Sequence, residues 1–180
     1  MNRYAVILTH NRPELLRQTW CAIGPQVDMV IIIDNASDPP VNYQQFHALE
    51  WFTAVMAIPD QPPNLSKLWA TGIEHAMMLH AAQVGVDAAG PPFVAVLCDD
   101  APPPEGWFAA VTDAMVATGA PLGCSAPEPF GWFGPPRVKT APDSDLTGRL
   151  CGWAWILDPV SSVRPDPRFE WWWGDSSMDW

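Results

Sequence analysis

An α/β domain with a mostly parallel central sheet and helices on both faces is what this sequence predicts. Two apolar runs, residues 27–33 and 93–97, show no polar alternation, as strands covered on both faces do. Longer segments with apolar residues at near-helical spacing lie between the short runs, so strands and helices alternate. Both continuous runs also end abruptly in acid or its neighbours, at Asp34-Asn35 and at Cys98-Asp99-Asp100.

Taken in order, Tyr4-Ala-Val-Ile-Leu-Thr9 is a short β-rich run followed by the polar turn His10-Asn11-Arg12. Pro13 suits the first turn of a helix and Glu14 favours its positive end, so a helix is expected to about Cys21. Residues 27–33 form the second strand, and residues 52–58 a third. After Pro62-Pro63-Asn64, residues 65–82 place Leu68, Ile73, Ala76, Met77 and His80 at helical spacing. Residues 93–97 are the fourth strand, and a helix follows over about 106–117. Beyond it, residues 122–125 and 150–157 are strand candidates, separated by a proline- and glycine-rich stretch at 127–136. A Trp-rich segment, Phe169-Glu-Trp-Trp-Trp-Gly-Asp175, leads to Ser176-Ser177-Met178-Asp179-Trp180.

Composition bounds the function. With 180 residues, 48% of them apolar and 16% charged, the chain is expected to make one domain around a real core. A net charge of −11 argues against a nucleic-acid partner, which needs a basic face to meet phosphate. An anionic substrate would need a metal cation or backbone N–H groups at its site. The cysteines at 21, 98, 124 and 151 show no paired zinc spacing and read as free thiols. No run approaches the ~20 apolar residues of a transmembrane segment, and none has a signal-peptide core. A cytoplasmic location is the expectation.

The chemistry is expected where strands end, because open α/β sheets bind ligands outside their carboxyl edge. Asp34 closes the second strand and Asp99-Asp100 the fourth. Any one of these alone reads best as a cap or a solvated loop residue. Two sets at matching strand ends point to function: carboxylates from two neighbouring strands converging on one cavity. Such a group suits a hard divalent cation, Mn²⁺ or Mg²⁺, which takes oxygen ligands and could neutralise a pyrophosphate.

At this point the residues resemble a family. Tyr4-Ala-Val-Ile-Leu-Thr-His-Asn-Arg-Pro-Glu-Leu-Leu16, followed by Val30-Ile-Ile-Ile-Asp-Asn-Ala-Ser37, resembles the opening of glycosyltransferase family 2, of the GT-A fold. Val94-Ala-Val-Leu-Cys-Asp-Asp100, with Pro104-Glu-Gly-Trp107 behind it, is similar to that family's acidic metal motif. Asn64-Leu-Ser-Lys-Leu-Trp-Ala-Thr-Gly-Ile73 resembles its donor-site helix, and Gly174-Asp175-Ser-Ser-Met-Asp-Trp180 its catalytic acidic motif.

The resemblance implies a single GT-A-like domain over 1–180, with a donor half at about 1–105 and an acceptor and catalytic half at about 106–180. It implies inverting, metal-dependent transfer of a sugar from a nucleotide-diphospho-sugar donor to a hydroxyl of a sugar, polysaccharide or protein acceptor. The aspartate at position 34 would bond the nucleobase, in a pocket shared with Asn35 and with Thr9, Asn11 and Arg12 of the first loop. Asp99 would meet the ribose, Asp100 would hold the metal on the diphosphate, and Asn64 and Lys67 would belong to the donor side. Cys98 stands where the family often has a further acid or asparagine, which leaves the site one ligand short. For the base that takes the acceptor's proton, the candidates are Asp175 and Asp179, with Asp175 preferred because it follows Gly174. Trp172 and Trp173 could form an acceptor platform, and Trp153 a weaker contact; with 11 tryptophans in the chain, core packing is the competing explanation. The family usually continues past its acidic motif, so a fragment, a homo-oligomer that completes the site, and a minimal acceptor site as in compact phage-type members all stay open.

Two other classes compete. A sugar nucleotidyltransferase shares a similar sheet but expects a glycine-rich loop after the first strand, and Thr9-His-Asn-Arg12 contains no glycine. A non-catalytic carbohydrate- or partner-binding domain derived from such an enzyme is compatible with Ser176 and Ser177 standing where relatives carry acids.

Overall fold

A computed structural model describes residues 3–46, 51–60, 63–84, 92–126, 133–140, 153–161, 163 and 165. In chain order the elements are β1 (Arg3–Thr9), α1 (Pro13–Ile23), β2 (Met29–Asp34), β3 (Phe52–Ala57), α2 (Leu65–Val84) and β4 (Phe93–Cys98). They continue with α3 (Trp107–Thr118), β5 (Leu122–Ser125), β6 (Pro136–Lys139) and β7 (Ala154–Leu157). The seven strands form one sheet in the order β3-β2-β1-β4-β7-β5-β6.

The first four strands pair in parallel, through β2–β3, β1–β2 and β1–β4. The remaining ladders, β4–β7, β5–β7 and β5–β6, are antiparallel. The expected mostly parallel sheet is thus found in the half that carries the acids, and the other half is antiparallel. Two differences from the sequence reading have physical causes. β6 is a strand not expected from the sequence: it opens on Pro136, the last residue of the proline- and glycine-rich stretch, and carries Arg137 and Lys139, a composition that hides an edge strand. The strand expected over 150–157 begins at Ala154, and residues 150–152 lie outside the described ones.

The continuous apolar runs are explained by cover on both faces. Val6, Ile31 and Val96 point to one side, where α2 lays Leu68, Trp69, Ile73 and Ala76 against them. Ala5, Ile7, Ile32 and Leu97 point to the other, beneath Leu16, Trp20 and Ile23 of α1 and Phe108, Val111 and Met115 of α3. Both helices of the second face are fixed by one side chain. Gln26 donates from Nε2 to the carbonyls of Ala22 and Pro104, each at 2.9 Å, and its Oε1 accepts the Phe108 N–H at 3.0 Å. Trp107 is buried, with its indole N–H donating to Ser125 Oγ at 3.0 Å, so it is a core residue.

α2 approaches the sheet closely at Gly72. A β-carbon there would stand 2.4 Å from Val6 Cγ1 and 2.9 Å from Ile33 Cδ1, both fully buried. Alanine would gain about 1 kcal/mol of helix propensity and lose about 1–3 kcal/mol to overpacking. Gly72→Ala should therefore lower the urea midpoint of unfolding; a midpoint unchanged or raised would mean that α2 can lift from the sheet at little cost.

Candidate active site at the carboxyl edge of the parallel strands

β1 has β2 on one side and β4 on the other, so the strand order reverses at the β1–β4 pair, where open α/β sheets form their ligand crevice. The register brings Leu8 opposite Cys98 and Thr9 opposite Asp34, which places Thr9, Asp34, Asp99 and Asp100 along one edge.

Four of the expected site residues meet directly. Asp99 is 4% exposed; its Oδ2 accepts the Thr9 hydroxyl at 2.9 Å, and its Oδ1 lies 3.2 Å from Arg12 Nη1. The same nitrogen is 3.2 Å from Asp100 Oδ2. The backbone carbonyl of Asp99 accepts the buried Thr19 hydroxyl at 2.7 Å, which ties the strand end to α1. Burial pushes the Asp99 carboxyl above its ordinary value, Thr9 and Arg12 draw it back, and the Asp100 charge adds to the rise. Ionising Asp99 therefore costs the fold: this contribution to stability is present at low pH and is lost as pH rises through the raised value.

Asp34 is held by the loop that follows it. It is 2% exposed, and its two oxygens accept the N–H groups of Ser37 at 3.0 Å and Val41 at 2.8 Å. The carboxylate thus organises the loop that follows β2. Nor do Asp34 and Asp99 stand on neighbouring strands, because β1 lies between β2 and β4. Two inter-strand spacings separate them, roughly 10 Å, and Thr9 is the residue in the middle.

A second polar network extends from the Asp34 side. Asn35 Oδ1 accepts the Asp60 N–H at 2.9 Å, and Asp60 in turn accepts the Asn64 N–H at 3.1 Å and Lys67 Nζ at 2.7 Å. Asn64 Oδ1 accepts the Lys67 N–H at 2.8 Å and so caps α2. The Lys67 ammonium holds Asp60 below its ordinary value. Asp60 escaped the sequence reading, although it lies just past the end of β3 and so satisfies the rule that picked out Asp34.

His10 joins the two networks. Its Nδ1 lies 2.6 Å from the Asn35 carbonyl, which can only accept, so Nδ1 donates; Nε2 then accepts from the Asn11 amide at 3.0 Å. His10 is exposed in the bend after β1, the turn position expected from the sequence. Asn11 itself has φ 56°, the left-handed region, held by its N–H to Ser37 Oγ at 2.9 Å and by the Asp38 N–H on its Oδ1 at 2.7 Å.

Among the remaining expectations, Trp153 is half-buried, packs against both cores, and accepts the Cys98 N–H on its carbonyl at 2.8 Å. Cys98 is itself half-buried between the same two cores. Asp175, Asp179, Trp172 and Trp173 lie outside the described residues. A cleft of about 250 Å³ opens beside the acidic pair, lined by Leu15, Gln18, Asp99, Asp100, Pro102 and Phe133.

The chemistry of this edge can be tested against a divalent metal. No group of three or more His, Cys, Asp or Glu side chains converges among the described residues. Asp99 Oδ1 and Asp100 Oδ2 do converge, on a single point that a cationic nitrogen already occupies. Two hard oxygens suit Mg²⁺ or Mn²⁺ when substrate phosphate and water complete the shell, which is how Mg²⁺ is commonly held.

The fold is a GT-A-like α/β architecture, with polar residues gathered at its switch point. A crystal structure of S. aureus TarS, residues 1–349, superposes with a TM-score of 0.65 at 12% identity, over 99% of this chain and 54% of that one. The present chain therefore spans about half the length of that neighbour. A looser match, with a TM-score of 0.47 at 11% identity, is 4-diphosphocytidyl-2C-methyl-D-erythritolsynthase from Anaerococcus prevotii, over 88% of this chain and 72% of that one. At such identities the likeness is one of fold. No protein-family model matches the sequence, and no curated protein matches it. Among the described residues, no helix is long and apolar enough to cross a membrane.

Proposed function

We propose that the chain transfers a sugar from a nucleotide-diphospho-sugar to an acceptor hydroxyl, with inversion and with help from Mn²⁺ or Mg²⁺. The observation that carries this reading is the convergence of Asp99 Oδ1 and Asp100 Oδ2 on one cationic position at the sheet's switch point.

In this reading the protein's own groups divide the work along the edge. The loops after β1 and β2, fixed by Asn11 and Asp34, form the wall for the base, and Asn35, Asn64 and Lys67 line the same side. Thr9 orients the Asp99 carboxylate through its hydroxyl, leaving Oδ1 directed at the cation position. Asp99 lies on the ribose and phosphate path, and Asp100 is the principal metal ligand. When bound, the ion supplies Lewis-acid stabilisation of the departing diphosphate. Asp175, or failing it Asp179, takes the acceptor's proton, and Trp172, Trp173 and Trp153 are the aromatic contacts for the acceptor. The acceptor is a sugar, polysaccharide or protein hydroxyl.

A panel of nucleotide sugars, each with and without Mn²⁺, tests the proposal through the thermal midpoint of unfolding. One donor should raise the midpoint in Mn²⁺, and at a hundredfold excess over its dissociation constant mass action adds about 2.7 kcal/mol of stability. That donor should also be slowly hydrolysed when no acceptor is present. If no nucleotide or nucleotide sugar shifts the midpoint under any condition, the proposal fails. Pyrophosphate release from a nucleoside triphosphate would instead assign a nucleotidyltransferase.

A further inference from the structure

Arg12 already occupies the point on which the two carboxylates converge. A single nitrogen, Nη1, reaches Asp99 Oδ1 and Asp100 Oδ2 at 3.2 Å each. A divalent ion bound to those two oxygens would take the lone pairs that face the guanidinium and would repel its charge at close range. Arg12 and the ion therefore exclude each other.

The local structure says which part of Arg12 can move. Its backbone is anchored, because Asn11 before it is clamped to Ser37 and Asp38, and the Arg12 carbonyl accepts the Leu16 N–H at 3.0 Å in the first turn of α1. Its side chain is 53% exposed, so the guanidinium can leave without disturbing the core. Charge says why it would. With both carboxyls ionised, Asp99, Asp100 and Arg12 carry one net negative charge, which repels a diphosphate. A divalent ion in place of the guanidinium neutralises the two carboxylates and frees the positive charge of Arg12 for the phosphates.

We propose that Arg12 is a displaceable counter-cation. In the ligand-free protein it neutralises the acidic pair and keeps a divalent ion out; when ion and nucleoside diphosphate enter together, it turns from the carboxylates to the phosphates. The inference rests on the nucleotide reading above for its second half and on the geometry alone for its first. It makes ion and nucleotide bind with positive coupling, each raising the affinity for the other by the same factor.

The test measures Mn²⁺ binding directly, from the paramagnetic resonance signal of the free ion. Mn²⁺ is titrated alone, and then in the presence of UDP, GDP or ADP in turn. Arg12→Gln should tighten binding of Mn²⁺ alone by about tenfold and shrink the extra tightening that the nucleotide gives the wild type. Arg12→Lys keeps the charge and should stay near wild type. Arg17→Gln removes the same charge from α1, where Arg17 pairs with Glu14 at 2.9 Å, and should change nothing. If Arg12→Gln leaves the affinity for Mn²⁺ alone within about twofold of wild type, or if Arg12→Lys tightens it equally, the counter-cation idea is overturned. Failure of all three nucleotides to tighten Mn²⁺ binding would overturn the second half of the inference, while the titration of Mn²⁺ alone still decides the first.

Discussion

Asp100→Ala should leave the fold nearly as stable as before and abolish the Mn²⁺-dependent gain in stability from a nucleotide sugar. The two effects separate because of where Asp100 sits. Its side chain is 41% exposed, and its ion partner Arg12 is more exposed still, so losing that pair costs at most about 1 kcal/mol of folding stability. The gain lost is larger: about 2.7 kcal/mol when ligand stands at a hundredfold over its dissociation constant. Asp99 offers no such clean experiment. It is nearly enclosed and its carboxylate accepts the Thr9 hydroxyl, so changing it perturbs fold and binding together. Paired melting curves, with and without Mn²⁺ and donor, check the prediction. Full retention of the metal-dependent shift in Asp100→Ala would remove Asp100 from the site.

Trp155→Ala should be the most damaging single core change. The side chain is fully buried on β7, between β4 and β5, and meets Trp69 of α2 edge to face, with ring centroids 5.8 Å apart and an interplanar angle of 88°. Truncation of a buried tryptophan costs about 3–5 kcal/mol, against a total stability of about 5–15 kcal/mol for a domain. Trp155 Nε1 has no hydrogen-bond partner among the described residues, so its removal also relieves a buried unpaired donor, which trims the loss. Trp155→Phe therefore makes the informative companion: it keeps an aromatic ring, discards the unpaired N–H, and should lose far less. Urea unfolding followed by far-ultraviolet circular dichroism measures both. Equal losses in the two variants would show that a phenyl ring at this position stabilises no more than the methyl group of alanine.

How much of this was legible beforehand depended on the burial of each segment. β1, β2 and β4 announced themselves because strands covered on both faces have no polar positions to blur the run. Their ends were equally plain, since a carboxylate such as Asp34 or Asp99 interrupts so apolar a stretch only at an edge. α2 was marked by the prolines that precede it and by the spacing of Leu68, Ile73 and Ala76. The partners of those acids were not legible. Nothing in one dimension shows that both Asp34 oxygens will be taken by the amides of Ser37 and Val41, or that Arg12 will reach across to a carboxylate 87 positions later. The neighbour relation of the strands also depends on order in space: β2 and β4 are separated by the first strand of the chain. Asp60 was obscured by the prolines around it, and β6 by a proline and two charges.

The place of β7 in the sheet has a consequence for how the molecule comes into being. It lies between β4 and β5, yet it is made after both, and after β6. Until residue 157 has been synthesised, β4 keeps an open edge and the hairpin of β5 and β6 has nothing to join. The parallel half can assemble on the growing chain, whereas the join between the two halves awaits a strand of only four residues. Any delay at that step leaves unpaired backbone exposed on both sides of the gap, where another chain could lodge before its proper occupant arrives.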